Sequence, residues 1–394
     1  MSNYNVELSQ LARYVTIDDT NQHISFGSTV SSLNVKDSAL TVDGDPAASV
    51  ISESTTFYVA TNGNDTTGDG SQTSPWATPT RAAEYLSQRR IKSGVTVNVD
   101  IAAGTYIFTS PIRLDHPQGS QIRYRGAETT GTKPRGATLN GGGTRGYTAG
   151  TEAFNDVKLK NYYNTVFQFN STTGIKVAPE SCLVIRRVLI RGNYVANDAN
   201  STDAIRLQAG RTGGLGGTLE LDDCAIHNFA NRGIACVFGG TATLNDVSIT
   251  NCGGGIGNSS GIVLGDLGTA TDQISNLTIS NCNGNAIGHT RNATGRYIGS
   301  YLCNNGGNGI DLIENSSCRA SRSTITNNGK KGVVVQQSGS VQLRAATVTG
   351  NGQQDLVALS NSYIDFRSMN GTSTATNVSP FFNTTGNNGS FIQN

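Results

Sequence analysis

The sequence predicts an all-β solenoid, a parallel β-helix of about 23 residues per coil with one N-terminal capping helix. The first observation behind this is a short pattern, apolar–x–Asn, that recurs along the second half of the chain. It reads Ile226-His227-Asn228, Ile249-Thr250-Asn251, Ile279-Ser280-Asn281, Leu302-Cys303-Asn304, Ile325-Thr326-Asn327 and, with Gly in third place, Val348-Thr349-Gly350. The third positions are 23, 30, 23, 23 and 23 residues apart. The second observation is an apolar position six residues later, at Ile234, Ile287, Ile310, Val333 and Leu356, most often preceded by Gly or Ala. The third is local pattern: Ile310-Asp311-Leu312 and Val333-Val334-Val335 are too short for helices and rich in β-branched residues. Asn and Gly punctuate them, and both tolerate the left-handed backbone of a sharp corner. A leucine-rich repeat has a similar period, but leucine is sparse and no helix-forming half-repeat is present.

Stacked at about 4.8 Å per coil, such pieces form long parallel sheets in which residues one period apart lie over each other. Ile226, Ile249, Ile279, Leu302, Ile325 and Val348 are then expected in one buried column, and Asn228 through Asn327 as an amide ladder at one bend.

Composition narrows the function. Charged residues make up 14% of the 394, and the net charge is +1, so nothing in the charge points to nucleic acid or an anionic membrane. No apolar run is long enough to span a bilayer, and no membrane insertion is expected. Met1–Asn5 opens a polar stretch without an apolar core, so no Sec signal is expected. The seven cysteines show neither CxxC nor zinc-finger spacing and read as small buried hydrophobes, Cys224 in the column of Val247 and Leu277. No metal and no cofactor is expected.

Taken in order, residues 1–55 are polar, with strand-like pieces at Tyr14–Ile17 and Leu40–Val42 and a linker-like Pro46–Ser49. Phe57–Ala60 reads as a strand. The loop Asn62–Gly70 misses calcium-loop spacing and reads as a turn. A helix follows, with Thr78 as N-cap, Pro79 at its first position and Gly94 past its end, and Ala82, Ala83 and Leu86 form its apolar stripe. Its expected role is to cover the open first coil. Strands follow at Val95–Val99, Gly104–Phe108 and Gln121–Gly126, then irregular coils to residue 220 with strands at Val166–Phe169 and Leu183–Ile190.

Phe57–Asp65, Ser74-Pro75-Trp76-Ala77-Thr78-Pro79 and Ala103-Gly104-Thr105-Tyr106 together resemble the first module of pectate-lyase-like right-handed β-helix proteins. The resemblance covers 57–127 by motif and 128–374 by repeat, and it implies a right-handed parallel β-helix. Lyases, hydrolases and inert structural proteins share that architecture, so activity must be argued from a site. The tail Ser379–Ile392 is similar to C-terminal segments of bacteriophage β-helix tail proteins. Together with the polar N-terminal part, the layout resembles a phage tailspike or tail fibre. That resemblance implies a homotrimer in the virion tail, assembled in the host cytoplasm. The expected parts are an adaptor over 1–55 that anchors to other tail proteins, a first module with its capping helix over 56–127, the β-helix over 128–374 and a C-terminal cap over 375–394.

No GxSxG, HExxH or P-loop motif is present, and the four histidines are scattered at 23, 116, 227 and 289. His289 shares an inward column with Leu312 and Val335 and reads as structural, although His289 with Arg291 and Arg296 loosely fits a lyase base. Repeat phase gives a better guide. The usual six-residue gap widens to 13 between Gly192 and Ile205 and to 11 between Asn251 and Ile262. Two loops then rise on either side of one flat coil, making a groove with Phe229, Asn231 and Arg232 on its floor. Sugars stack on aromatic faces and hydrogen-bond to planar polar groups, so this is the candidate site for bacterial surface polysaccharide. Asp198 and Asp203 on one wall form a candidate hydrolytic pair or are solvated loop residues. Hydrolysis requires two carboxylates about 5–5.5 Å apart for retention or about 6.5–9.5 Å for inversion. Asp311 and Glu314, with Arg291 stacked under Glu314, are a second acidic constellation or a charge-balancing pair. Val334 and Ile313 suggest a flat apolar outer face for subunit contact.

The leading expectation is a non-enzymatic, receptor-binding virion protein. A glycan depolymerase on the same scaffold and a non-viral adhesin are the alternatives.

Overall fold

The computed structural model describes residues 15–18, 23–26, 41–42, 45–46, 49–130, 162–170, 174–193, 203–207, 216–237, 239–253, 262–265, 269–270, 274–366, 374–375, 378–379 and 391–393. Met1–Ser49 forms one compact unit and Val50–Asn394 another. In the first, Val15–Asp18 pairs antiparallel with His23–Phe26, and Thr41–Val42 with Asp45–Pro46.

The second unit is a parallel β-helix with three strand faces. The first face stacks Thr55–Val59, Val97–Ile101, Ile122–Gly126 and Cys182–Arg186, and later Ser317–Arg319, Ser340–Gln342 and Tyr363–Asp365. The second runs from Gly104–Phe108 through Thr165–Phe169 and Leu189–Gly192 to Tyr301–Cys303, Thr324–Thr326 and Thr347–Thr349. Thr218–His227 and Thr241–Thr250 belong to both, bending at Asp223 (φ 49°) and Asp246 (φ 53°), so these two faces join into one sheet. The third face runs from Ile175–Val177 through Ile205–Leu207, Ile234–Val237, Ile262–Gly265, Ile287–His289, Ile310–Leu312 and Val333–Val335 to Leu356–Ala358.

The vertical registry read from the repeat is present. Ile226, Ile249, Ile279, Leu302, Ile325 and Val348 are successive partners, each wholly buried. On the third face Ile287, Ile310, Val333 and Leu356 do the same. The small residue before that strand is explained at Gly332, where a Cβ would lie 2.5 Å from Val348 Cγ1 and from the Asp355 carbonyl.

Two details differ from expectation. Asn228, Asn251, Asn281, Asn304 and Asn327 are corner residues with φ between 52° and 64°, and Gly350 takes the same place at 69°. The amide ladder lies one residue further on. Asn305 Nδ2 donates to Asn328 Oδ1 at 3.0 Å, Asn328 Nδ2 to Asn351 Oδ1 at 3.0 Å, and Asn351 Nδ2 to Asp355 Oδ1 at 2.8 Å. Once the chain has turned at the corner, the next side chain points inward, where an amide must find partners in the stack. The run Leu183–Ile190 is likewise two strands, broken at Arg187 (φ 56°), because the first and second faces meet there.

The helix Pro79–Ser87 closes the first coil. The Thr78 hydroxyl accepts from Arg81 N at 3.2 Å, and Asp65 Oδ1 accepts from Ala77 N and Thr78 N. Leu86 and Ala82 are buried in the same core as Val97 and Val99, and Trp76 stacks on Phe57 with centroids 5.3 Å apart. The helix stops short of Gly94. The chain first forms the strand Arg89–Ile91, and Lys92 N donates to the Ile51 carbonyl at 3.0 Å. At the other end, the segment expected as a separate cap winds another coil. Val348 pairs with Ala375, Leu356 with Val378 and Ile364 with Ile392. Those steps are 27, 22 and 28 residues, which hides the period.

Candidate functional site

The corner between the second and third faces at coils 203–207 and 228–237 gathers the polar groups. Backbone bonds from Ala204 N to the Arg232 carbonyl (2.8 Å) and from Ile205 N to the Gly233 carbonyl (3.1 Å) stack Asp203 beside Asn231 and Arg232. Asp203 Oδ1 accepts from Asn231 Nδ2 at 2.9 Å and from Arg232 N at 3.3 Å. Its Oδ2 lies 3.6 Å from Arg206 Nη1 and 3.9 Å from Arg232 Nη1. Asp203 is only 1% exposed, whereas the Arg206 side chain is 45% exposed and that of Arg232 26%. Burial pushes the Asp203 carboxyl above its usual range, and the guanidinium charges of Arg232 and Arg206 pull it partly back.

Alternation turns Arg206 outward between buried Ile205 and Leu207, and Lys176 is its register partner one coil earlier. Two arginines therefore flank one buried carboxylate, and Lys176 stands beside Arg206 on the outward side of the neighbouring coil. An arginine fork matches a carboxylate or phosphate in two parallel hydrogen bonds, and Arg232 Nε is buried without a hydrogen-bond partner among the described residues. Asp203 acts as the internal brace that aims Asn231 and Arg232.

Of the residues expected at this groove, Asp203, Asn231 and Arg232 converge. Phe229 does not: it is 1% exposed and turns its ring toward Phe169, with centroids 6.2 Å apart in the core. It follows the corner residue Asn228 and so occupies the same inward position as Asn305 and Asn328; no sugar can stack on it there. Asp198 lies outside the described residues. Arg206 and Lys176 were missed, although each follows the inward Ile of its strand by one position and is therefore outward by alternation.

The other candidates are occupied structurally. Asp311 accepts from Asn285 Nδ2 at 3.1 Å, Asn308 Nδ2 at 3.0 Å and Gln336 Nε2 at 3.5 Å. Glu314 sits at a corner (φ 58°), paired with Arg291 at 3.6 Å, both side chains well exposed. His289 is fully buried: Nε2 is 2.7 Å from the Tyr297 hydroxyl and Nδ1 3.2 Å from the Ser317 carbonyl, and burial pushes its pKa down to about 4. Val334 is only 3% exposed, so it does not offer the open apolar face expected of it. Among the described residues no three His, Cys, Asp or Glu side chains gather as a metal site, and no helix is long and apolar enough to cross a membrane.

Residues 265–370 match the family model described as a right-handed β-helix region, which fixes the hand of the solenoid. Among solved structures the chain is similar to pectate lyase Pel9A, at 14% identity and TM-score 0.46, over 82% of this chain and 78% of that one. It is also similar to a rhamnogalacturonan lyase, at 12% identity and TM-score 0.40, over 82% and 87%. A third is the A-module of the mannuronan C-5 epimerase AlgE6 of Azotobacter vinelandii, at 12% identity and TM-score 0.31, over 72% and 80%. No curated protein matches the sequence. Such distant likeness concerns the winding of the backbone and brings no activity with it.

Proposed function

We propose that this chain is a polysaccharide-binding component of a phage tail, of the tailspike or tail-fibre kind its sequence resembles. In this reading the corner at Arg206, Asn231 and Arg232 holds an acidic substituent of a host surface glycan. Residues 1–55 anchor it to other tail proteins, and three copies assemble in the virion. The observation that carries the binding reading is the pair of arginines, Arg206 and Arg232, on the buried Asp203 carboxylate, with Lys176 beside Arg206 in the neighbouring coil, so that among the described residues the cations at this corner outnumber the carboxylate. Binding without cleavage is the reading taken for this corner, supported by the enclosure of Asp203 and by the hydrogen bonds that Asn231 and Arg232 N give to its Oδ1.

The test is titration of the purified chain with acidic host envelope polysaccharide. The double variant Arg206→Ala/Arg232→Ala is expected to weaken binding by about tenfold or more, and the wild-type affinity is expected to fall between about 0.05 and about 0.5 M salt. Unchanged affinity in the double variant removes the corner from the account. One observation favours a depolymerase as the second reading: a carboxyl whose pKa is raised by burial is the kind used as a general acid. New reducing ends or 4,5-unsaturated uronates after incubation, lost in Asp203→Asn, would establish that reading instead.

A further inference from the structure

We infer that a second saccharide site, for a neutral sugar, lies over the first coils on the first face, away from the cationic corner. A cleft of about 490 Å³ opens there, lined by Tyr58, Gln72, Asp100, Arg125, Glu128 and Arg187 among others. That volume lies within the range of small-ligand sites, about 300–1,000 Å³.

The register builds it. Tyr58, Asp100 and Arg125 are outward residues at one level of three successive coils. Asp100 and Arg125 form a two-pronged pair, Nε to Oδ1 at 2.7 Å and Nη2 to Oδ2 at 2.9 Å, and Glu128 pairs with Arg187 Nη1 across the rim. These four are the charged side chains lining the cleft, and they balance to zero. A net-neutral cleft has no Coulombic preference for an ionic ligand, in contrast to the corner.

It nevertheless keeps strong hydrogen-bonding capacity. A carboxylate offers about four lone-pair sites and an arginine five N–H groups, so each pair leaves acceptors and donors free after satisfying its partner. Arg187 Nε is buried without a hydrogen-bond partner among the described residues. Hydroxyl groups both donate and accept, and charged partners strengthen those bonds. Half-buried Tyr58 adds an aromatic surface for the apolar face of a pyranose ring, and Gln72 adds a planar amide from the loop above. Uncharged, polyhydroxylated and ring-shaped describes a neutral saccharide of a few residues.

The test uses the full chain and trisaccharides of glucose, galactose, mannose, rhamnose and N-acetylglucosamine, with trigalacturonate as the acidic probe, followed by calorimetry. A neutral trisaccharide is expected to bind with an affinity that changes less than about twofold between about 0.05 and about 0.5 M salt. Tyr58→Ala and, independently, the loop variant Gln72→Ala are expected to weaken it by about tenfold and about threefold. Arg206→Ala/Arg232→Ala is expected to leave it unchanged, so this site and the corner fail separately. Asp100→Asn leaves Arg125 without its counter-charge and is expected to create salt-sensitive binding of trigalacturonate. The inference is overturned if no neutral trisaccharide binds, if binding survives both Tyr58→Ala and Gln72→Ala, or if the wild-type cleft prefers trigalacturonate.

Discussion

Asn327 and Asn328 are chemically identical neighbours with unlike roles. Asn327 turns the chain at φ 55°, while Asn328 turns inward and bonds to Asn305 above and Asn351 below. The first role was legible, since a left-handed corner narrows the choice to Gly, Asn or a few others. The second was not, because a period tells how often a position recurs and not which way its side chain points. Phe229 was misplaced for the same reason. The corners between the first and second faces left a fainter trace, because beside Asn276 and Gly299 they are filled by Arg187, Asp223, Asp246, Arg322 and Ala345.

His289 supports a prediction at this scale. Its folded pKa of about 4 lies below the unfolded value of about 6.5, so below that pH the unfolded chain holds more protons than the native one. The stability it contributes is therefore present above about pH 6.5 and is lost as the pH falls toward about 4, a swing of about 3 kcal/mol. Urea melts of wild type and His289→Leu across that window are expected to differ in slope, the variant losing that component. Parallel slopes would show that the imidazole is solvated or protonated in the native state.

Among the elements, the capping helix was read correctly at its start and too long at its end. Thr78 and Pro79 form a local chemical signal, whereas the stop at Ser87 is set by tertiary pairing near Ile51 that no local residue announces. Leu86 is the helix's main apolar contact with the first coil. Leu86→Ala is expected to cost about 2–5 kcal/mol, measured by urea unfolding, and to expose the open end, seen as increased aggregation. A cost under about 0.5 kcal/mol would mean that the helix lies on the surface rather than sealing the core. The last coil was missed because its steps of 27, 22 and 28 residues carry the same pairing at irregular spacing.

In the whole molecule, a solenoid separates what specifies fold from what specifies function. Inward columns are dominated by Ile, Val and Leu, with the amide stack beside them, which is why a single sequence exposed the coils so clearly. Outward positions are free to vary, and the candidate binding groups sit there without periodicity. Asp203, Asn231 and Arg232 were found only because two widened gaps marked their corner. Lys176, Arg206 and the Tyr58 cleft carried no such mark.

The most direct measurement of the central claim is hydrogen–deuterium exchange on the full chain with and without acidic host polysaccharide. Protection is expected over 203–207 and 228–237, the proposed glycan contact at Arg206, Asn231 and Arg232, with little change over 324–349. Protection confined to 324–349, or none anywhere at saturating polysaccharide, would contradict the account.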